Sequence, residues 1–111
     1  MKALSNLAFP LADTWALYVS AEPYVFEKQQ KQSPAGVPVW VVTVSGRVGN
    51  TRRTLWVQIP LAQAPDIPVD TQVRLVGLTL TYWSVQERSG VTLRAAGLAD
   101  ENNHLLAGGE A

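Results

Sequence analysis

The chain contains no cysteine and a single histidine among its 111 residues. Without cysteine it has no disulfide, no thiolate zinc site and no thiol nucleophile. No apolar run approaches the roughly 18 residues of a membrane-spanning helix, and residues 1–10 are too short and too polar for the apolar segment of a signal peptide. These absences favour a cytoplasmic protein that has no membrane partner.

Charge is scarce and balanced, because nine Lys and Arg residues face nine Asp and Glu residues. All nine basic residues fall within residues 1–99, whereas three acidic residues and no basic ones follow. With 47% apolar residues, a chain of this length can bury one core. We therefore expect one domain over residues 1–99, with an N-terminal extension at 1–13 and an acidic, disordered tail at 100–111.

The body of the chain is enriched in β-branched and aromatic residues between turn signals and lacks a sustained helical period. Residues 27–36 are polar and predict a loop, and three prolines within 60–68 predict an extended connector. The predicted strands are residues 14–20 with a kinked continuation at 24–26, then 37–45, 52–59, 71–85 with a bend at Gly77, and 91–99.

Alternation along residues 52–59 predicts which side chains face the core. Leu55, Val57 and Ile59 form one set, so Trp56 should face outwards. Trp15 and Trp40 lie in apolar strands and are expected to be buried.

Five strands, an extended connector after the third and a long hairpin arm between the fourth and fifth favour a five-stranded, Greek-key OB-fold barrel. A two-sheet sandwich is the competing all-β architecture.

Three segments carry a resemblance to a known family: 33–38 (SPAGVP), 54–60 (TLWVQIP) and 71–77 (TQVRLVG). In this order and spacing, residues 14–99 resemble bacterial single-stranded DNA-binding proteins and their relatives, which include primosomal replication protein N. The resemblance implies that Trp56 stacks on a base. Residues 37–44 and 93–98 are also similar to small replication activators of actinomycete integrative plasmids.

Binding of a single strand needs basic side chains for the phosphates and flat side chains for the bases. Trp56 with neighbouring Arg52 and Arg53 fits this need, although an exposed tryptophan also suits a loop contact or a dimer interface. Tyr82 and Trp83 point to opposite faces of the arm, so we assign Tyr82 to the ligand and expect Trp83 to cap the core. Lys28 and Lys31 in the first predicted loop are further candidate phosphate contacts. Arg47, Arg88 and Arg94 are others, and each of these three also suits a solvated sheet face.

No catalytic constellation is evident. His104 has no partner at the spacing of a metal site or a catalytic triad, and the carboxylates are scattered. We expect no enzymatic activity, no metal and no cofactor.

These observations favour a nucleoid-associated protein that binds single-stranded DNA with weak sequence preference and assists replication of a chromosome or a mobile element. The alternative is an OB-fold adaptor that contacts replication proteins and touches DNA little. Substitution of Trp56 would then break a protein complex and leave DNA binding unaltered.

Self-association is a further expectation, because residues 37–44 are apolar on both faces of one strand and a barrel has one interior. Either residues 4–11 cover the second face within the chain, or a second copy covers it in a homodimer or higher homo-oligomer.

Overall fold

A computed structural model describes residues 5–11, 14–48, 50–100 and 104–108, and all regular elements within them are β-strands. The predicted all-β class is confirmed. The strands are β1 (Ser5–Pro10), β2 (Thr14–Pro23), β3 (Val25–Phe26), β4 (Gln29–Gln30), β5 (Val39–Val48), β6 (Thr51–Pro60), β7 (Gln72–Val76), β8 (Thr79–Val85), β9 (Arg88–Arg94), β10 (Gly97–Ala99) and β11 (Leu105–Gly108).

Nine of these strands form one curled sheet in the order β1-β8-β9-β6-β5-β2-β7-β10-β11, and β3 and β4 form a separate hairpin. Neighbouring strands are antiparallel except β6 and β9, which are parallel. The chain passes from β7 directly to β8 across Gly77 and Leu78, although the two strands lie far apart in the sheet order. The sheet therefore curls around one interior.

The core consists of side chains on alternate positions of the central strands. Val42 and Val44 of β5 and Val57 and Ile59 of β6 are fully buried, and β5 pairs with β6 over their whole length. β-Branched side chains suit such a packed, pleated surface. The predicted inward set on β6 is confirmed, and Trp56 faces outwards as expected.

The connector of residues 61–71 covers one end of the core without forming a helix or strand, as predicted. Leu61 is fully buried, and Ile67 packs against the core. The indole N–H of Trp40 donates a hydrogen bond of 3.1 Å to the Leu61 carbonyl oxygen. Trp40 thereby satisfies its polar atom while its ring packs against the core.

Gly77 forms the predicted bend between β7 and β8. Its φ of 65° lies in the left-handed region, which glycine adopts without the steric cost of a Cβ atom.

Trp15 is 39% exposed, so the prediction that it is buried is wrong. β2 buries Ala16 and Tyr18 instead. Ala16 lies opposite Gly46 on β5, and a Cβ atom on Gly46 would lie 3.1 Å from Leu55. The interior is therefore narrow beside Gly46 and accepts only a small side chain, here that of Ala16. Because adjacent residues of a strand face opposite sides, Trp15 then faces outwards.

The loop predicted for residues 27–36 contains β4, and residues 24–26 do not continue β2. β3 and β4 instead form a short hairpin whose turn residues, Glu27 and Lys28, have φ values of 52° and 69°. Positive φ at both central residues is typical of a type I′ turn, which matches the strand twist.

Both ends of the chain add strands to the sheet. Leu105–Gly108 lies within the tail that was expected to be disordered, but it pairs with β10. This pairing satisfies backbone N–H and C=O groups at the free edge of β10. Ser5–Pro10 pairs with β8, so this segment does not cover the outer face of β5. The rest of the expected extension and tail, apart from Leu11, Asp100 and His104, lies outside the described residues, as does Gly49 of the β5–β6 turn.

Burial raises the pKa of the Tyr18 hydroxyl above its ordinary value of 10.0. The stabilisation that comes from keeping the Tyr18 hydroxyl protonated is therefore fully present below pH 10.0. It is lost as the pH rises through the pKa of Tyr18 in the folded protein. We expect the free energy of unfolding to fall at alkaline pH more steeply for the natural protein than for Tyr18→Phe. Urea unfolding of both proteins across this pH range measures the difference, and parallel curves would contradict it.

Candidate nucleic-acid interface

Trp56 is the most exposed tryptophan on the outer face of the sheet, with 63% of its surface accessible. Its neighbour on β5 is Thr43, and the next residue across, on β2, is Ser20. Both neighbours are small, which leaves the indole ring open above the strands. An accessible ring on a rigid strand is suited to stacking against a base.

Two arginines lie on the same face towards the β5–β6 turn. Arg52 is opposite Arg47, and alternation places both on the side of Trp56. The Arg52 guanidinium donates hydrogen bonds to the Ser45 carbonyl oxygen at 2.8 Å and to the Ser45 hydroxyl at 3.2 Å. These bonds hold Arg52 along the sheet in the direction of Trp56, about 13 Å away along the strand.

A pocket of about 370 Å³ lies at the other end of this face. Gln58 of β6 and Arg94 of β9 are direct partners in the parallel pair, and both line the pocket. Lys31 lines it from the loop after β4 and also lies 5.7 Å from the centre of the Tyr24 ring. The pocket therefore continues the polar surface beyond Trp56.

Positive charge dominates this face. Arg47, Arg52 and Arg94 lie on it, whereas Glu22, opposite Val41, is the single carboxylate at the described outward positions of β2, β5, β6 and β9. A protein without net charge thus presents one locally basic surface with an exposed tryptophan.

Trp15 extends the same outward surface around the sheet. It lies opposite Arg74 of β7, on the face turned away from the core. Trp15 is not recognisable as a candidate from the sequence, because both alternating sets of β2 contain apolar residues. An exposed aromatic ring beside an arginine would indicate such a site. Trp15 can be seen to be exposed only when it is known that Ala16 and Tyr18 are the residues of β2 that face the core.

In the arm formed by β8 and β9, Tyr82 and Trp83 lie on the sides opposite to those expected. Trp83 lies over Gly90, where an added Cβ atom would be 2.7 Å from the Trp83 ring, and it does not cap the core. Alternation places Trp83, Arg88 and Arg94 on the side of Trp56, and Tyr82 on the opposite side with Val91. The strand pairing of the arm determines which of the two rings shares the side of Trp56, and the local sequence does not.

The structure separates two other candidates from this group. Arg53 lies opposite Gly46, on the core-facing side of β6 at its exposed end. Lys28 lies at the tip of the β3–β4 hairpin. Of the predicted site residues, Arg47, Arg52, Arg94 and Lys31 share one face of the sheet with Trp56. Arg88 is on the same side, but at the tip of the arm.

Within the described part of the chain, no cluster of three or more His, Asp or Glu side chains is placed to hold a metal ion. The same residues include no helix long and apolar enough to cross a membrane.

Comparison of the chain with protein-family models, with curated proteins and with solved structures finds no match.

Proposed function

We propose that this protein is an OB-fold variant that binds single-stranded DNA. The strand connectivity supports this fold: β2, β5 and β6 follow one another as antiparallel neighbours, and β9 lies parallel to β6. The bent segment of β7 and β8 pairs with β2 on one side and with β9 on the other. This order of five chain segments resembles that of an OB barrel, to which β1, β10 and β11 would be added strands.

The observation that carries the proposed function is the exposed Trp56 between basic side chains on one rigid face. Arg47 and Arg52 lie on one side of it along the sheet, and Arg94 and Lys31 lie on the other. A strand crossing this face would stack a base on Trp56 and place phosphates near both basic groups. Stacking tolerates any base, so the expected sequence preference is weak.

Titration with oligo-dT tests the proposal. We expect quenching of tryptophan fluorescence and an affinity that falls as salt rises. With four cationic contacts, the slope of log affinity against log salt should be about −3, which is shallow for a DNA-binding protein. Absence of quenching at micromolar protein and about 20 mM salt would overturn the proposal, since counterion release is most favourable there.

A binding protein of this kind would assist replication of a chromosome or a mobile element by holding exposed single strands. This role needs no catalytic group and places the protein at the nucleoid in the cytoplasm.

The alternative function, an adaptor between replication proteins, is supported by a second surface. The side of the arm opposite Trp83 exposes Phe9, Tyr82 and Val91, which lie on the adjacent strands β1, β8 and β9. Contiguous exposed apolar side chains mark protein contacts. A pull-down from the native host beside a gel shift separates the two functions: an adaptor retains its partner and shows no DNA shift.

We expect a second copy of the chain on this apolar side of the arm and not on the outer face of residues 37–44, because that face belongs to the proposed DNA interface. Sedimentation equilibrium at micromolar protein should then give about 24 kDa, twice the 12.1 kDa of one chain. Val91→Lys places a charge in the contact and should give the monomer mass. Val69→Lys, at a similarly exposed valine of the connector, is the control and should remain dimeric. A mass of about 12 kDa for the natural protein would contradict the proposed dimer.

A further inference from the structure

The pocket beside Trp56 is built from three separate parts of the chain. One part is the start of β5 with the loop before it, which contributes Val39 and Pro34. The second is the end of β6 with Pro60, and the third is Ala95, which directly follows β9. These apolar side chains form walls against which a flat ring can pack. A bare phosphate gains nothing from contact with such walls, whereas a base buries apolar surface against them.

The loop that forms one wall is held by its own hydrogen bonds. The Ser33 N–H donates to the Val37 carbonyl oxygen at 2.8 Å, and the Val37 N–H donates to the Ser33 hydroxyl at 3.2 Å. The Val39 N–H donates to the Lys31 carbonyl oxygen at 2.8 Å. The pocket is therefore formed before a ligand arrives, which lowers the entropic cost of binding.

The polar side chains of the pocket are rich in hydrogen-bond donors. Lys31 and Arg94 carry donors only, and Gln58 offers one amide group with both donors and an acceptor. The base edge that matches clustered donors is that of guanine, whose O6 and N7 atoms are adjacent acceptors. Thymine and adenine have no two neighbouring acceptors on one edge. Cytosine has N3 and O2 side by side, but its single ring packs less surface against the apolar walls than the double ring of guanine does.

We propose that this pocket takes one guanine base of the bound strand, with the Arg94 guanidinium donating to O6 and N7 in place of the phosphate that it contacts on oligo-dT. Gln58 lies two residues from Trp56 on the same face, about 7 Å along the strand. Stacked nucleotides rise about 3.4 Å each, so a base two nucleotides from the one on Trp56 reaches the pocket. The inference rests on the proposed function and adds one base preference to an otherwise sequence-tolerant surface.

Fluorescence titrations with a set of 12-residue oligonucleotides test this inference. Each is oligo-dT with one central position replaced by guanine, adenine, cytosine or 7-deazaguanine, which lacks the N7 acceptor. We expect the guanine oligonucleotide to bind about tenfold more tightly than oligo-dT, and 7-deazaguanine to lose most of that gain. Equal affinity for all five strands would overturn the guanine pocket and leave the proposed function standing, whereas no binding to any strand would overturn both.

Arg94→Met removes the proposed base contact and retains a long side chain. It should abolish the preference for guanine, while the matched control Arg53→Met, on the core-facing side of β6, should keep it. Gln58→Leu serves as a second variant of the pocket and should reduce the preference; circular dichroism checks the fold of each protein. An Arg94→Met protein whose affinity falls by the same factor for every strand, so that the tenfold preference for guanine is kept, would show that Arg94 contacts phosphate only and would overturn the proposal.

Discussion

The substitution Trp56→Ala is expected to weaken oligo-dT binding by about 5- to 150-fold, the loss of one stacked base worth about 1–3 kcal/mol. Trp56 is 63% exposed, so its removal should change the free energy of unfolding by less than about 0.5 kcal/mol. The affinity loss is therefore separable from a loss of fold. A competition assay with a labelled oligonucleotide measures it without relying on the fluorescence of the tryptophan that has been removed.

Tyr82→Ala is the matched control, because it removes an exposed aromatic ring from the opposite side of the arm. We expect its affinity for oligo-dT to match that of the natural protein. If Tyr82→Ala weakened binding and Trp56→Ala did not, the DNA would lie on the core-facing side of the arm, and the interface proposed around Trp56 would be wrong.

Leu98→Ala should lower the free energy of unfolding by about 2–5 kcal/mol, since it removes a fully buried side chain and leaves a cavity. Leu98 belongs to β10 and lies opposite Leu75 of β7 and next to Ala107 of β11. A loss of this size would be a large part of the stability of a domain this small. Urea unfolding with an unchanged m-value reports it directly.

Leu105→Ala provides the comparison, because Leu105 lies on the neighbouring strand β11 and is half exposed. Its expected cost is below about 0.5 kcal/mol. Equal effects of the two substitutions would mean that β10 does not pack into the core as described.

Much of the local structure was predictable because it depends on short-range periodicity. Alternation along residues 52–59 separates Val57 and Ile59 from Trp56 without knowledge of any partner strand, since side chains on a strand have a period of two. The connector and the bend at Gly77 were predictable for a similar reason, because proline and glycine restrict or release the backbone at their own positions.

The candidate site was predictable only in part. Trp56 could be proposed from its strand alone, and Arg47 and Arg52 follow from the adjacent hairpin turn. Lys31, Gln58 and Arg94 lie far apart in the sequence and meet only because β9 runs parallel to β6 and the loop before β5 folds over the sheet. Nothing in the local pattern of any one segment indicates that pocket.

The sequence by itself determined the all-β class, the inward set of β6 and the exposure of Trp56, because each depends on the residues of one segment. Tertiary structure decided whether Trp15 or Ala16 faces the core, since both alternating sets of β2 are apolar enough and the narrow row at Gly46 selects the smaller residue. It also decided that Trp83, packed over Gly90, shares the face of Trp56 while Tyr82 does not. Adjacent residues of a strand must point to opposite faces, but only the pairing with neighbouring strands determines which of those faces is the core-facing one.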